Sequence, residues 1–272
     1  MTEPVFPFFA SQIPLESEPE RWLELHLYSG SKCNRACVFC CVNGEPKGTY
    51  SPWTEETLQA AARLVAKRGG LKFYGGEPTL DPENLIWSMG RLRELGFEGA
   101  FIVFSNGVRA RELVSLLEAD RNVFAVLNYS IATGRGETPL PASALRQLQN
   151  YDEKRSGHLF LSHDFVVPVG RQRDLQAGTL AHQPCFRCFP TLTSEGKLHA
   201  CAFAVEYDRK HFRLGDAQTD FKKASESFSH FLGWVEERLD PVSLQNNQSS
   251  CSVCIGENPP EFTPLKDCAK IP

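Results

Sequence analysis

No run of apolar residues in this 272-residue chain approaches the roughly 20 needed to cross a bilayer as a helix, so a soluble protein without a membrane partner is expected. Neither sign of charge comes in blocks. The 29 basic and 33 acidic residues are dispersed and leave a net charge of −4, which argues against nucleic acid or an anionic membrane surface as the main partner. The N-terminal stretch MTEPVFPFFASQIPLESEPE has no basic region followed by an apolar one and therefore lacks a secretory signal; a cytoplasmic location is expected. No convincing long-period repeat is present. Cysteine is missing from residues 42 to 184, although the chain has ten. Without a signal, ten cysteines argue for metal ligands or reactive thiols rather than a disulfide framework. Their two groups, Cys33, Cys37, Cys40 and Cys41 against Cys185, Cys188, Cys201, Cys251, Cys254 and Cys268, point to two sites.

What is present is enough to build a core: 42 % of the residues are hydrophobic. Residues 22–28 (WLELHLY) alternate, with Leu23, Leu25 and Leu27 on one face and Glu24, His26 and Tyr28 on the other, a strand pattern. After the first cysteines, Ser51-Pro52 predicts a helix start, with Glu55 and Glu56 suiting its N-terminal dipole and an end near Gly69-Gly70. Strand 71–74 leads into Gly75-Gly76-Glu77-Pro78. Asp81-Pro82 opens a second helix, with Leu85, Trp87, Met89, Leu92 and Leu95 as its apolar positions and Gly96 as its stop. Strands at 99–104, 122–131 and 158–167 alternate with helices at 109–119, 142–154 and 171–181. Five such alternations with long connections predict βαβ units and a parallel sheet, whose sites lie at the carboxyl ends of the strands. The cysteine loop, the Gly-Gly-Glu-Pro and Ser105-Asn106-Gly107 then meet on one rim. Beyond 182, residues 189–203 read as a hairpin turning near Gly196, 219–239 as an amphipathic helix, and 240–272 as a polar, Pro-rich tail. A sixth strand is either missing or lies near 189–193.

Cys33, Cys37 and Cys40 are spaced Cys-x3-Cys-x2-Cys. Three thiolates on one short loop suit three corners of an iron–sulfur cube, leaving a fourth iron open to a substrate or cofactor. A zinc knot or buried thiols is the competing reading. Cys41 points away from its neighbour Cys40 and reads as a buried thiol. Cys33-Asn34-Arg35-Ala36-Cys37-Val38-Phe39-Cys40, followed by Phe73-Tyr74-Gly75-Gly76-Glu77-Pro78 and Ser105-Asn106-Gly107, resembles the radical S-adenosylmethionine (radical SAM) superfamily over residues 22 to about 180. The resemblance implies a partial parallel (β/α) barrel and a 4Fe–4S cluster on Cys33, Cys37 and Cys40. It further implies SAM on the open iron, Gly75, Gly76, Glu77 and Pro78 at the methionyl group, Glu77 as acceptor for its ammonium, and Phe39 near the adenine. Ser105 and Asn106 correspond to the family's Thr-Asn-Gly. Asn128 and Ser130, by strand position, reach the ribose or carboxylate. Reductive cleavage of SAM then gives a 5′-deoxyadenosyl radical.

The second group is similar to the auxiliary-cluster domains called SPASM and twitch: Cys185-x10-Gly196-x4-Cys201, then Cys251-x2-Cys254. The similarity implies a second 4Fe–4S cluster on Cys185, Cys201, Cys251 and Cys254, with Cys188 as alternative to Cys185 and Cys268 left over. A structural zinc site is the other reading. The expected layout is an N-terminal arm (1–21), the partial barrel (22–182) and a small Cys-rich α+β cluster domain (183–272). Glu24, His26 and Tyr28 would face the barrel lumen. The expected activity is hydrogen abstraction from a peptide or protein, of the maturase type, with dehydrogenation of a small carbinol-bearing metabolite as alternative. A flavodoxin or ferredoxin would donate electrons. An iron–sulfur electron carrier, or a zinc-binding module without SAM chemistry, is the alternative of another class.

Overall fold

The computed structural model describes residues 21–37, 40–128, 139–162, 189–207 and 212–237. Its elements are β1 (Trp22–Tyr28), α1 (Glu55–Leu64), β2 (Val65–Tyr74), α2 (Pro82–Glu94), β3 (Ala100–Ser105), α3 (Ala110–Ala119), β4 (Val123–Asn128), α4 (Ala142–Lys154), β5 (Leu159–Ser162), β6 (Thr191–Thr193), β7 (Lys197–His199), β8 (Arg213–Asp216) and α5 (Phe221–Glu236). One eight-stranded sheet runs β5-β4-β3-β2-β1-β6-β7-β8. The strands from β5 to β6 in that order are parallel, and β6, β7 and β8 pair antiparallel. This mixed α/β, mostly parallel sheet is the expected partial barrel.

The sixth parallel strand is β6, seated on the free side of β1, with His26 opposite Thr191 and Tyr28 opposite Thr193. The predicted hairpin is therefore β6–β7, and it extends the barrel's own sheet. The sequence reading did not include β8. The expected strands 122–131 and 158–167 are described up to Asn128 and Ser162; their remainders, the helix 171–181, residues 1–20 of the arm, and the tail from 240 lie outside the described residues.

Two helix boundaries differ from expectation. Thr54, not Ser51, caps α1: its side chain accepts from Thr57 N at 3.4 Å, and Thr57 Oγ1 accepts from Thr54 N at 3.0 Å. The helix ends at Leu64 rather than at Gly69, because Gly69 and Gly70 belong to β2 at the register shift against β1. A Cβ on Gly69 would lie 2.5 Å from Leu23 O, so glycine marks a close strand approach there. On α2, Asp81 caps through Asn84 N at 3.1 Å, and Leu85, Met89 and Leu92 are buried at i, i+4 and i+7. Trp87 falls off that stripe and is 45 % exposed.

Leu25, Leu27, Leu71, Phe73, Phe101, Val103, Ala125, Leu127, Leu192 and Leu198 form the helix-covered face of the sheet and are all buried in one core. Each fully buried leucine there contributes about 2 kcal/mol. Residues of opposite parity line the inner face in cross-strand rows. One row is Thr191, His26, Lys72, Ile102 and Phe124; the next, nearer the rim, is Thr193, Tyr28, Tyr74, Phe104, Val126 and Phe160.

Candidate functional site

The loop after β1 folds back on itself: Lys32 N donates to Thr49 O (2.8 Å), Cys33 N to Glu45 O (2.8 Å) and Glu45 N to Ser31 O (3.0 Å). The segment after β2 lies against it, through Gly76 N to Gly30 O (2.8 Å) and Glu77 N to Lys32 O (2.9 Å). This contact explains both glycines. Gly75 has φ +140°, and a Cβ there would sit 2.5 Å from Gly30 O; on Gly76 it would sit 2.0 Å from Lys32 O.

Cys33 and Cys40 converge. Cys33 is buried, while Cys37 and Cys40 are half-buried. Cys33 Sγ accepts from Arg35 N (3.4 Å) and Asn106 Nδ2 (3.5 Å), and Cys40 Sγ from Gly44 N (3.1 Å). A Cβ on Gly44 would meet Cys33 Cβ at 3.3 Å, and Cys40 Sγ and Gly76 Cα both at 3.4 Å, so this glycine leaves the space that the sulfurs share. Burial first, then the Glu77 carboxylate and Cys40, push the Cys33 thiol up to about 12. Such a thiol ionises when a metal compensates the charge. Amide donors to sulfur and a glycine-lined hollow suit an iron–sulfur cluster. Among the described residues no three His, Cys, Asp or Glu side chains are gathered as closely as a single metal ion requires.

Glu77 is tied into its own chain. It is 4 % exposed, and its carboxylate accepts four hydrogen bonds: Thr79 N (3.1 Å), Thr79 Oγ1 (2.6 Å) and Ser105 Oγ (2.9 Å) on Oε1, and Asn106 N (2.7 Å) on Oε2. Burial outweighs these donors and raises its pKa. Glu77 thus braces the end of β2 to the end of β3. Asn106 completes the brace, donating from Nδ2 to Asn34 Oδ1 (2.7 Å) as well as to Cys33. Pro78 is buried at the start of the 3-10 turn Pro78–Leu80. The partner of Glu77 that the sequence reading missed, Thr79, is the buried hydroxyl two residues on.

Below the rim, the expected lumen residues share the inner face. Tyr28 and Tyr74 stand with ring centroids 6.1 Å apart, and Tyr74 Oη lies 3.5 Å from Cys41 Sγ, which is half-buried. One row down, Lys72 Nζ and His26 Nε2 (3.2 Å) both reach Glu24 Oε1. The sequence reading missed Lys72, although alternation in LKFY and pairing with β1 place it beside His26. Gly70 stands opposite Glu24, and a Cβ on it would meet Ile102 Cδ1 at 3.8 Å. Burial raises the pKa of Glu24, but the His26 hydrogen bond and the Lys72 charge bring it below its ordinary value; burial, with Lys72, also lowers that of His26.

Both depressed values have one consequence. The stabilisation from His26 is complete above its ordinary value near 6.5 and fades as pH falls towards its folded value; that from Glu24 follows below about 4.5. Thermal unfolding followed by circular dichroism is expected to show stability falling from pH 7 to pH 4. Glu24→Gln is expected to flatten the lower limb and to cost about 3 kcal/mol at neutral pH, because Lys72 keeps its burial and loses its counter-charge.

A cavity of about 270 Å³ opens beside this polar part of the inner face, lined by Tyr28, Thr193 and His199 and by rim residues Gly30, Thr49 and Ser51. Ser105 and Asn106 stand at the rim as expected. Asn128 ends β4, opposite Ser162; its side chain, and Phe39, Ser130, Cys185, Cys188, Cys251, Cys254 and Cys268, lie outside the described residues. Cys201 is half-buried just after β7 and packs against the core. Among the described residues no helix is long and apolar enough to cross a membrane.

The sequence profile of the Radical SAM superfamily matches residues 27–155. No curated protein matches the chain by sequence. Among solved structures, native anSMEcpe with bound AdoMet and Cp18Cys peptide is similar at 14 % identity and TM-score 0.56, over 76 % of this chain and 82 % of that one. BtrN in complex with AdoMet and 2-DOIA is similar at 14 % identity and TM-score 0.52, over 77 % and 85 %. At these identities the likeness is one of fold. The cysteine loop, the braced Gly-Gly-Glu-Pro turn and strands β2 to β4 all fall within the residues that the Radical SAM superfamily profile matches.

Proposed function

We propose that the chain is a radical SAM enzyme in which Cys33, Cys37 and Cys40 hold a 4Fe–4S cluster that binds SAM at its open iron. The observation that carries this reading is the convergence of Cys33 and Cys40 on Gly44 and Gly76, on the loop that the domain match includes. Cluster and SAM together supply a 5′-deoxyadenosyl radical able to take hydrogen from an unactivated carbon. The chain's own residues prepare the place. Gly75 and Gly76 bring bare backbone against the cysteine loop, where a methionyl group can approach. Asn106 holds Cys33 in position, and Glu77 holds Asn106. Ile102, Phe104, Val126 and Phe160 make the far wall apolar, which keeps water from a radical. Phe39 is assigned to the adenine by its place in the motif, and Asn128 and Ser130 to the ribose or the carboxylate by their places in the sequence.

The substrate class we favour is a peptide or protein, oxidised or crosslinked as by a maturase; the bound peptide of anSMEcpe supports it. The 2-DOIA complex of BtrN supports the second reading, dehydrogenation of a small carbinol-bearing molecule. In either case an electron acceptor is required. We assign that role to a second 4Fe–4S cluster on Cys201, Cys251, Cys254 and Cys185 or Cys188, in a domain spanning 183–272. A flavodoxin or ferredoxin is the proposed reductant.

The test is anaerobic reconstitution with iron, sulfide and zinc analysis, followed by dithionite and SAM and measurement of 5′-deoxyadenosine. About eight irons per chain with deoxyadenosine formed is the expected result. About four irons and one zinc would keep the radical chemistry and make the tail structural. A cluster-replete protein that forms no deoxyadenosine with peptide or carbinol candidates defeats the proposal in favour of an electron carrier.

A further inference from the structure

The cavity of about 270 Å³ beside the inner face is lined by two limbs of the cysteine loop and by the β6–β7 turn. It has room for about nine waters, or for one small saturated ring with its substituents. Hydroxyls dominate the lining. Ser29 and Ser51 come one from each limb, with Ser51 N donating to Ser29 O at 3.0 Å, and Ser194 comes from the turn, with its N donating to Tyr28 O at 2.9 Å. All three are thus fixed at the backbone. Ser194 is buried, and Ser29 and Ser51 are half-buried. Their side-chain hydroxyls have no hydrogen-bond partner among the described residues, and none of the three is sealed from solvent. Polar groups at such depth are normally satisfied, so three that line one accessible cavity mark a place for groups that both donate and accept. The cavity offers no unpaired formal charge: Lys197 and Glu195, its two exposed ionisable side chains, pair with each other at 3.0 Å, and Tyr28 and His199 are buried. Tyr50 adds an aromatic surface. It is 36 % exposed, although its Oη donates to Asp81 Oδ2 at 2.7 Å, so the ring is held in place without being covered.

We propose that this cavity binds a small neutral polyol, a saturated ring or chain whose hydroxyls exchange hydrogen bonds with Ser29, Ser51 and Ser194 and whose C–H face lies on Tyr50. An anion would find only Lys197, already committed to Glu195, and a cation only Glu195, equally committed. The site goes beyond the reaction proposed above, since none of these residues is assigned to the cluster or to SAM. Its occupation still bears on them. Gly30 and Thr49, which line the cavity, are the residues whose carbonyls receive Gly76 N and Lys32 N. A ligand that binds only the closed form of this seam, between the Gly-Gly-Glu-Pro turn and the cysteine loop, makes it harder to open.

Methyl glucoside and xylitol are the probes, a ring and a chain that carry only neutral hydroxyls. Each would be titrated into anaerobically purified full-length protein and followed by ligand-observed NMR. Tetrahydropyran, the ring without hydroxyls, and glucuronate, the hydroxylated ring with a charge, are the comparisons. At least one probe is expected to bind saturably with a Kd of about 1–10 mM, tetrahydropyran about tenfold more weakly or worse, and glucuronate no more tightly than methyl glucoside. Ser29→Ala, Ser51→Ala and Ser194→Ala each remove one hydroxyl and are expected to weaken binding about 3- to 10-fold. Hydrogen exchange read by mass spectrometry is expected to slow over residues 29–32, 49–51 and 193–197 when the probe is bound. No saturable binding of either probe below about 100 mM overturns the proposal. So does equal binding of tetrahydropyran, tighter binding of glucuronate, unchanged affinity in all three variants, or protection only elsewhere in the chain; the cavity then holds water alone. If a serine variant fails to fold, the wild-type series and its exchange map still decide.

Discussion

Alanine at Cys33, Cys37 and Cys40 together is expected to reduce 5′-deoxyadenosine to background while leaving about four irons per chain on the second cysteine group. The basis is that Cys33 and Cys40 meet at Gly44 on the loop that also carries Cys37, while Cys41 Sγ faces the Tyr74 hydroxyl at 3.5 Å. Single substitution separates the three. Cys33 is the most deeply buried and receives two donors, from Arg35 N and Asn106 Nδ2, so Cys33→Ser is expected to lose the cluster as completely as the triple variant. Asn106→Ala leaves all three thiols and removes one donor to sulfur and the link to Asn34. Its expected effect is a retained but more labile cluster with activity reduced about 10- to 100-fold, the usual cost of removing an outer-shell partner. Iron content and the cluster absorbance band on exposure to air measure the difference. Full activity from the triple variant would remove the cysteine loop from the chemistry altogether.

Gly76→Ala is expected to be nearly as damaging, for a steric reason. The added methyl carbon would stand 2.0 Å from Lys32 O and 2.4 Å from Lys32 C, both backbone atoms that no rotamer change can move. Relief requires the loop and the turn to part, which sacrifices the hydrogen bonds Gly76 N to Gly30 O and Glu77 N to Lys32 O. A cost of about 3 kcal/mol or more follows, and for a chain of this size that lowers the Tm by roughly 6–12 °C. Gly90→Ala is the internal control. Gly90 lies inside α2, and a Cβ there would have nothing within 4 Å, so alanine is expected to stabilise by about 0.5–1 kcal/mol. Differential scanning calorimetry on the two variants compares them directly. Equal Tm values would show that the loop and turn do not stand in the contact described.

The parallel sheet was legible because alternation such as that of WLELHLY survives any tertiary context in which one face is buried, and the helices between strands leave no room for hairpins. The three rim motifs were legible because each follows a strand. Boundaries were less so: glycines at 69 and 70 read as a helix stop but serve a strand crossing, and only the pairing partner Leu23 distinguishes the two. The brace that Glu77 makes was hidden for a related reason. A carboxylate in a motif reads as a ligand to something bound, and its enclosure by Thr79, Ser105 and Asn106 depends on β3 lying next to β2. Lys72 was hidden because one lysine in a four-residue strand carries no pattern; its meaning comes from the neighbour, His26, that the sheet supplies.

The position of β6 against β1 bears on electron traffic. β1 leads directly into the Cys33 loop, and β6 leads through the β6–β7 turn to Cys201. His26 N donates to Pro190 O and Ser194 N to Tyr28 O, so the two segments are tied at both ends of their short ladder with no element between them. Tunnelling rates fall exponentially with separation, and a flexible tether would let the gap between two redox centres wander. Here β1 and β6 are held at a single strand-to-strand spacing, so the Cys33 loop and the β6–β7 turn cannot shift against each other without breaking that ladder, and clusters held as proposed above would keep a constant separation.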